Sequence, residues 1–182
     1  MLAVKEKPAT IKEYRELPEG SPYQLIEGEL VMTPAPTPRH QVVSGNLFER
    51  MRKSSRGTGV VLYAPVDVYL DLENACQPDL VFISKECGQI IKQDGIHGSP
   101  DLVVEILSPS TAYYDLRKKF RVYERSGVRE YWIVDPDMLS IEVYRNEKGH
   151  FVQVAKAEGE GEVESAVLQG LKVAAADIFQ MP

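Results

Sequence analysis

The chain has 182 residues, 43% of them hydrophobic and 26% charged, with a formal net charge of −6 at pH 7. These proportions suit a soluble globular protein, and the length suits one domain with a sizeable core better than two. They argue against a generic polyanion binder, a membrane-spanning chain, a disulfide framework and a zinc site, since no apolar run nears ~20 residues and only Cys76 and Cys87 are present. The Met1–Lys7 start lacks a signal-peptide core, so a cytoplasmic protein with free thiols is expected.

The charge is uneven. Residues 37–56 carry Arg39, Arg50, Arg52, Lys53 and Arg56 against Glu49, a local +4. Residues 115–129 carry Arg117, Lys118, Lys119, Arg121, Arg125 and Arg129 against Asp115 and Glu124, again +4. Glu158, Glu160, Glu162 and Glu164 offset this near the C-terminus. Arg52, Lys53, Arg117 and Lys118 are the candidate nucleic-acid contacts, although basic helix faces are often only solvated.

In chain order, Thr10 and Glu13 form a capping box for a helix that Pro18 stops. Tyr23–Ile26 and Glu29–Met32 flank Glu27-Gly28 as a hairpin. After the stiff run Pro34, Pro36, Pro38, a helix runs from His40 to Ser54 and buries Val43, Leu47 and Met51 at i, i+4, i+8. Val60–Tyr63, Val66–Leu70 and Pro78–Ile83 read as strands, with Asp79 at the start of the third. A helical turn near Cys87–Ile91 and a loop over Asp94–Pro100 follow.

Leu102–Leu107, bounded by Ser-Pro on each side, has the apolar continuity of a strand buried on both faces. Glu105 interrupts it. A carboxylate there costs several kcal/mol unless a cation, a metal or hydrogen-bond donors compensate it. A helix from Tyr113 to Ser126, ended by Gly127, comes next, and Leu116, Phe120 and Tyr123 define its expected buried face. On that wheel Lys119 lies at the edge of the buried face and can reach inward, whereas Lys118 points to solvent. Strands at Glu130–Val134, Ser140–Arg145, His150–Lys156, Glu164–Leu168 and Leu171–Ala174, then a helical turn at Ala175–Phe179, complete one α/β (α+β) domain around a mixed sheet.

If the Asp79 and Glu105 strands are neighbours, the two carboxylates can share one hard cation. Magnesium wants oxygen ligands and keeps several waters, so two or three carboxylates suffice. Such an ion polarises a phosphoryl oxygen and activates water, and a nearby ammonium stabilises charge on phosphate. The other reading is structural: Asp79 as a strand-start residue and Glu105–Lys119 as an ion pair tying helix to sheet, with Asp115 adding an i, i+4 pair. His40 and His97 fit a helix start and a loop better than a ligand set, and Tyr113 and Tyr114 fit packing.

The combination of Pro78-Asp79, Gly98-x-Pro-Asp-Leu-Val-Val-Glu105-Ile-Leu-Ser-Pro-Ser, Asp115-x-x-x-Lys119, Tyr123 and Gly127-Val-Arg-Glu-Tyr-Trp-Ile-Val-Asp135-Pro strongly resembles the Uma family of restriction-endonuclease-like proteins. Tyr23-Gln-Leu-Ile-Glu-Gly-Glu29-Leu-Val, Pro34-x-Pro and His40-Gln41 match it as well, so the likeness covers roughly residues 20 to 180. The resemblance implies a branch of the PD-(D/E)xK nuclease superfamily: a restriction-endonuclease-like mixed sheet, roughly residues 20–145, flanked by helices. It implies Asp79 and Glu105 as metal ligands for magnesium, with manganese as the alternative. Leu107 departs from the superfamily pattern, which expects lysine there; Lys119 from the following helix is the matching cation. Glu29 is implied as a further acidic residue of the catalytic set.

The expected function is a metal-dependent nuclease hydrolysing phosphodiester bonds in DNA, working most simply as a homodimer with one site per strand. Tyr144 and Phe151 are available to such an interface or to the core. The rival readings are a catalytically inactive nuclease-fold module that binds nucleic acid or a protein partner, and a hydrolase of small phosphorylated molecules.

Overall fold

The computed structural model describes Pro8–Met181; the Met1–Lys7 start lies outside the described residues. The elements in order are α1 (Ile11–Arg15), β1 (Tyr23–Ile26), β2 (Glu29–Met32), α2 (Pro38–Ser54), β3 (Gly59–Tyr63), β4 (Val68–Asp71), β5 (Asn74–Cys76) and β6 (Leu80–Ser84). A 3-10 turn (Lys85–Ile90), β7 (Ile91–Lys92), β8 (Gly95–His97) and β9 (Leu102–Ile106) follow. Then come a π-helical segment (Tyr114–Lys119), α3 (Phe120–Ser126), β10 (Glu130–Asp135), β11 (Ser140–Glu147), β12 (His150–Glu158), β13 (Glu162–Glu164), β14 (Lys172–Ala174) and α4 (Ala175–Phe179). No helix among the described residues is long and apolar enough to cross a membrane.

Two six-stranded sheets form the frame, in the orders β2-β1-β5-β4-β8-β7 and β12-β11-β10-β9-β6-β3, beside a small β13-β14 pair. In the second sheet β9 runs parallel to β10 and antiparallel to β6. The chain between the parallel strands crosses through the π segment and α3, as a parallel connection requires. Every residue of β9 is buried, as its apolar continuity predicts.

Strand alternation splits the core in two. Leu80, Phe82, Leu102, Val104 and Ile106 face α2, α4 and the β13-β14 pair, where Val43, Leu47 and Met51 form the expected stripe of α2. Val81, Ile83 and Val103 face the other way, against α3 and the first sheet. The last strands and α4 complete the first of these cores, so the packing unit extends well beyond residue 145. Tyr144 and Phe151 join Phe120 and Tyr131 in an aromatic cluster, with Phe120 to Phe151 centroids 5.2 Å apart. Those two rings are half-buried against that core.

Local chemistry sets most element ends. Thr10 and Glu13 make the predicted capping box on α1, and the Thr37 hydroxyl accepts from the His40 amide to start α2. The β1-β2 turn has positive φ at both Glu27 (51°) and Gly28 (74°), the two-residue turn that matches strand twist. Gly127, at φ 85°, ends α3 in the left-handed conformation.

Three expectations need correction. The stretch 94–100 is not all loop, because Gly95–His97 adds to the first sheet beside β4. The strand expected at 164–168 occupies Glu162–Glu164; the Ser165 hydroxyl then accepts from the amides of Val167 and Leu168 and turns the chain. The helix over 113–126 is π-helical in its first half, and Leu116 is 43% exposed while Asp115 and Lys119 are buried. The face that turns inward there carries Lys119, which bonds to Glu105 and pairs with Asp115 one turn earlier, so buried polar contacts override apolar periodicity. Phe120 and Tyr123 do pack inward.

Candidate active site

Continuing the β6-β9 register by one residue, from Leu80 opposite Val104, places Asp79 opposite Glu105. Both then belong to the face that carries Val81 and Val103. The Ile106 amide donates to Asp79 Oδ2 at 2.7 Å, which fastens the carboxylate to the strand of Glu105. Asp79 Oδ1 lies 3.3 Å from His40 Nε2, in the first turn of α2. That same nitrogen is 3.1 Å from the Ile106 carbonyl oxygen. A carbonyl only accepts, so Nε2 carries the proton. Burial works against the imidazolium of His40, yet the hydrogen bond and charge of Asp79 outweigh it and raise the pKa.

Glu105 is only 2% exposed. Its Oε1 accepts from Tyr123 OH at 2.7 Å and from Lys119 Nζ at 3.0 Å. Lys119, 3% exposed, also lies 3.1 Å from Asp115 Oδ1, one turn earlier, without hydrogen-bond alignment. Two carboxylates, Glu105 and Asp115, thus flank one ammonium, with Asp79 opposite Glu105 on the neighbouring strand. Burial pushes Glu105 up to about 8 against the pull of Lys119, and the charges of Asp115 and Asp79 push the same way. For Lys119 burial lowers the pKa, but Asp115 and Glu105 more than offset it, so the amine stays charged. Burial also raises the Tyr123 hydroxyl well above its usual range and the neighbouring Cys76 thiol to about 12, leaving both as neutral groups.

A second buried glutamate shows the contrast. Glu130 on β10 accepts from the Trp132 indole at 2.7 Å and from the Ala166 amide at 2.9 Å. It is satisfied by neutral donors and does not line the cleft that Glu105 lines, so it serves packing. Glu105 instead lines a cleft of about 1000 Å³ together with Asp79, Asp115, Lys119 and His40. The cleft runs between the start of α2, the Thr33–Pro36 and Ser108–Thr111 loops, and a polar wall formed by Tyr14, Asp67 and Gln77. On that wall Asp67 Oδ1 accepts from Tyr14 OH at 2.8 Å and from Gln77 Nε2 at 2.9 Å.

Of the residues singled out in the sequence, the structure brings Asp79, Glu105 and Lys119 together. Glu29 stands apart: its carboxylate is exposed, paired with Lys118 and approached by Tyr114 OH, and it does not line the cleft. Arg117 is exposed beside that pair. Arg52 and Lys53 sit in the last turn of α2, about 18 Å along the helix from His40. None of these four cations lines the cleft. His40 is the residue that the sequence placed as a helix start and within the family resemblance, with no role at the site. Its signal was the Pro-x-Pro-x-Pro run that delivers a helix start to the site.

The donor set fits a hard divalent cation. It is all oxygen, it carries excess negative charge, and Asp115 Oδ1 is buried without a hydrogen bond. The described residues contain no preformed cage of three or more His, Cys, Asp or Glu side chains, so water would complete the coordination of an ion held by Asp79 and Glu105.

Among solved structures, a protein from Anabaena variabilis described as "a putative nuclease belonging to DUF820" superposes with a TM-score of 0.76 at 20% sequence identity, covering 94% of this chain and 98% of that one. The likeness establishes the mixed α+β nuclease fold. No curated protein matches the chain. The family model Uma2, described as "Putative restriction endonuclease", matches residues 11–176, and the chain belongs to that family.

Proposed function

We propose that the chain is a magnesium- or manganese-dependent nuclease that hydrolyses phosphodiester bonds in DNA at the Asp79–Glu105–Lys119 end of the cleft. The observation that carries this reading is Glu105, a buried carboxylate set opposite Asp79 and bonded to a buried lysine at the floor of an open cleft. Membership of a restriction-endonuclease family supports it.

Asp79 and Glu105 would hold the ion, which supplies a polarised phosphoryl oxygen and a more acidic water. The Ile106 amide and His40 fix Asp79, so its carboxylate is preorganised. Tyr123 fixes Glu105. Lys119 keeps its proton and presents positive charge where negative charge grows on the attacked phosphate. The protein-binding or inactive-module alternative gives no reason for Asp79 to stand opposite a buried Glu105 that shares one ammonium with Asp115 beside a cleft.

Incubating the protein with end-labelled DNA in magnesium, manganese, calcium or EDTA tests the reading. Cleavage with magnesium or manganese and none in EDTA is expected. No cleavage by the wild type with any divalent metal would remove it.

A further inference from the structure

Helix α2 carries two stripes. Val43, Leu47 and Met51 enter the core, whereas Thr37, Gln41, Ser44 and Phe48, within about 60° of one another on the helical wheel, line the cleft. Facing Phe48 is Tyr63, the last residue of β3, which also lines the cleft and is 61% exposed. The two rings meet edge to face, with centroids 5.0 Å apart and planes at 75°. One residue on, the Ala64 amide donates to the Asp79 carbonyl oxygen at 3.0 Å, so the strand end that carries Tyr63 is fastened to the chain at Asp79, and both residues line the cleft. Gly45 borders the same space, and a Cβ built there would meet nothing within 4 Å. The cleft therefore has an open shelf with an aromatic floor and two polar side chains, Gln41 and Ser44, at its edge.

Charge limits how a duplex could be held here. The cleft is lined by Glu19, Asp67, Asp79, Glu105 and Asp115 against Arg15, Lys119 and His40. Arg15 is held by Asp94 and stacks on Tyr69, and Arg39, which does not line the cleft, is held by Asp137. Duplex binding relies on many phosphates neutralised by lysine and arginine, and no such track of cations lines this cleft. Unpaired strands add to their backbone contacts the stacking of bases on aromatic rings, a contact every base can make and one that itself needs no cation.

We infer that Tyr63, braced by Phe48 and open on the Gly45 side, is a stacking platform for an unpaired base, so that the substrate enters as a single strand or a locally melted one. The inference rests on the nuclease reading for the fate of the strand, but the platform itself is a binding site that needs no metal. Gln41 and Ser44 supply hydrogen-bonding groups at the edge of the stacked base.

The test measures fluorescence anisotropy of a short fluorescein-labelled oligothymidylate in EDTA, against a blunt hairpin duplex of similar length. The variants are Tyr63→Ala, Tyr63→Phe and Gly45→Leu, each with its melting temperature recorded. The wild type should bind the single strand more tightly than the duplex. Tyr63→Ala should weaken strand binding about tenfold, in line with the loss of one base-aromatic stack, while Tyr63→Phe retains it. Gly45→Leu should keep or raise the melting temperature, since leucine favours a helix interior, yet block the shelf and lose the strand. Equal affinity for duplex and strand, no binding of the strand at all, or unchanged binding by both Tyr63→Ala and Gly45→Leu would overturn the platform. Cleavage measured with manganese on the same preparations separates the two proposals. A wild type that cuts while Tyr63→Ala binds and cuts equally well removes only the platform; one that binds strand through Tyr63 but never cuts removes only the nuclease reading.

Discussion

Lys119 Nζ lies 3.0 Å from Glu105 Oε1 and 3.1 Å from Asp115 Oδ1, with all three side chains almost wholly withdrawn from water. Buried pairs of this kind gain little net stability, because desolvation consumes most of the attraction. Removing one partner is different, since it strands a charge in the interior.

Replacing Lys119 with Met should therefore destabilise the fold by about 3–5 kcal/mol. Adding Asp115→Asn should recover a large part of that loss, because the stranded charge is then gone. Urea unfolding of the two single variants and the double variant gives the coupling directly. Simple additivity would mean the ammonium and the aspartate do not compensate each other.

The pH dependence follows from Glu105, whose pKa burial raises from 4.5 to about 8 in the fold. Its folded-state pKa lies above the unfolded value, so its contribution is fully present below pH 4.5 and is lost as pH rises toward 8. Without metal, Glu105→Gln should gain stability relative to the wild type across that window. Thermal melts in EDTA at several pH values check this. A constant difference between the two proteins would show that Glu105 is ionised throughout.

Metal should reverse that trend by replacing the proton. Millimolar magnesium or manganese should raise the wild-type melting temperature, by an amount equivalent to about 2.7 kcal/mol at a hundredfold excess over the dissociation constant. Asp79→Asn keeps an oxygen for the Ile106 amide but loses the charge, so it should fold and show little metal response. Differential scanning calorimetry with and without metal distinguishes the two.

Leu116 tests the corrected helix orientation. As it is 43% exposed, Leu116→Glu should change stability by no more than about 0.5 kcal/mol. A loss of several kcal/mol would restore the apolar stripe read from the sequence.

The sequence carried the frame well where period and punctuation agreed. Val43, Leu47 and Met51 specify α2, Thr10 and Glu13 its predecessor, and the apolar run around Glu105 the central strand. Glu105 itself was legible because a carboxylate inside such a run demands an explanation, and Lys119 because a helical wheel brought it within reach. The orientation of the π segment was not legible. Its inward face is chosen by Glu105, which lies in a different element, and widening the turn breaks the 100° spacing on which the wheel depends. His40 was hidden for a similar reason: its partners, Asp79 and Ile106, are 39 and 66 residues away. The Tyr14–Asp67–Gln77 wall joins residues up to 63 apart and leaves no local pattern at all.

The most direct measurement is single-turnover cleavage of labelled DNA at saturating manganese by the wild type, Glu105→Gln and Lys119→Ala, with metal binding followed separately by calorimetry. The wild type should cut. Glu105→Gln should fold, bind metal weakly and cut at least about a hundredfold more slowly, whereas Lys119→Ala should retain metal binding and lose rate. A wild type that cuts no faster than Glu105→Gln would contradict the assignment of this site.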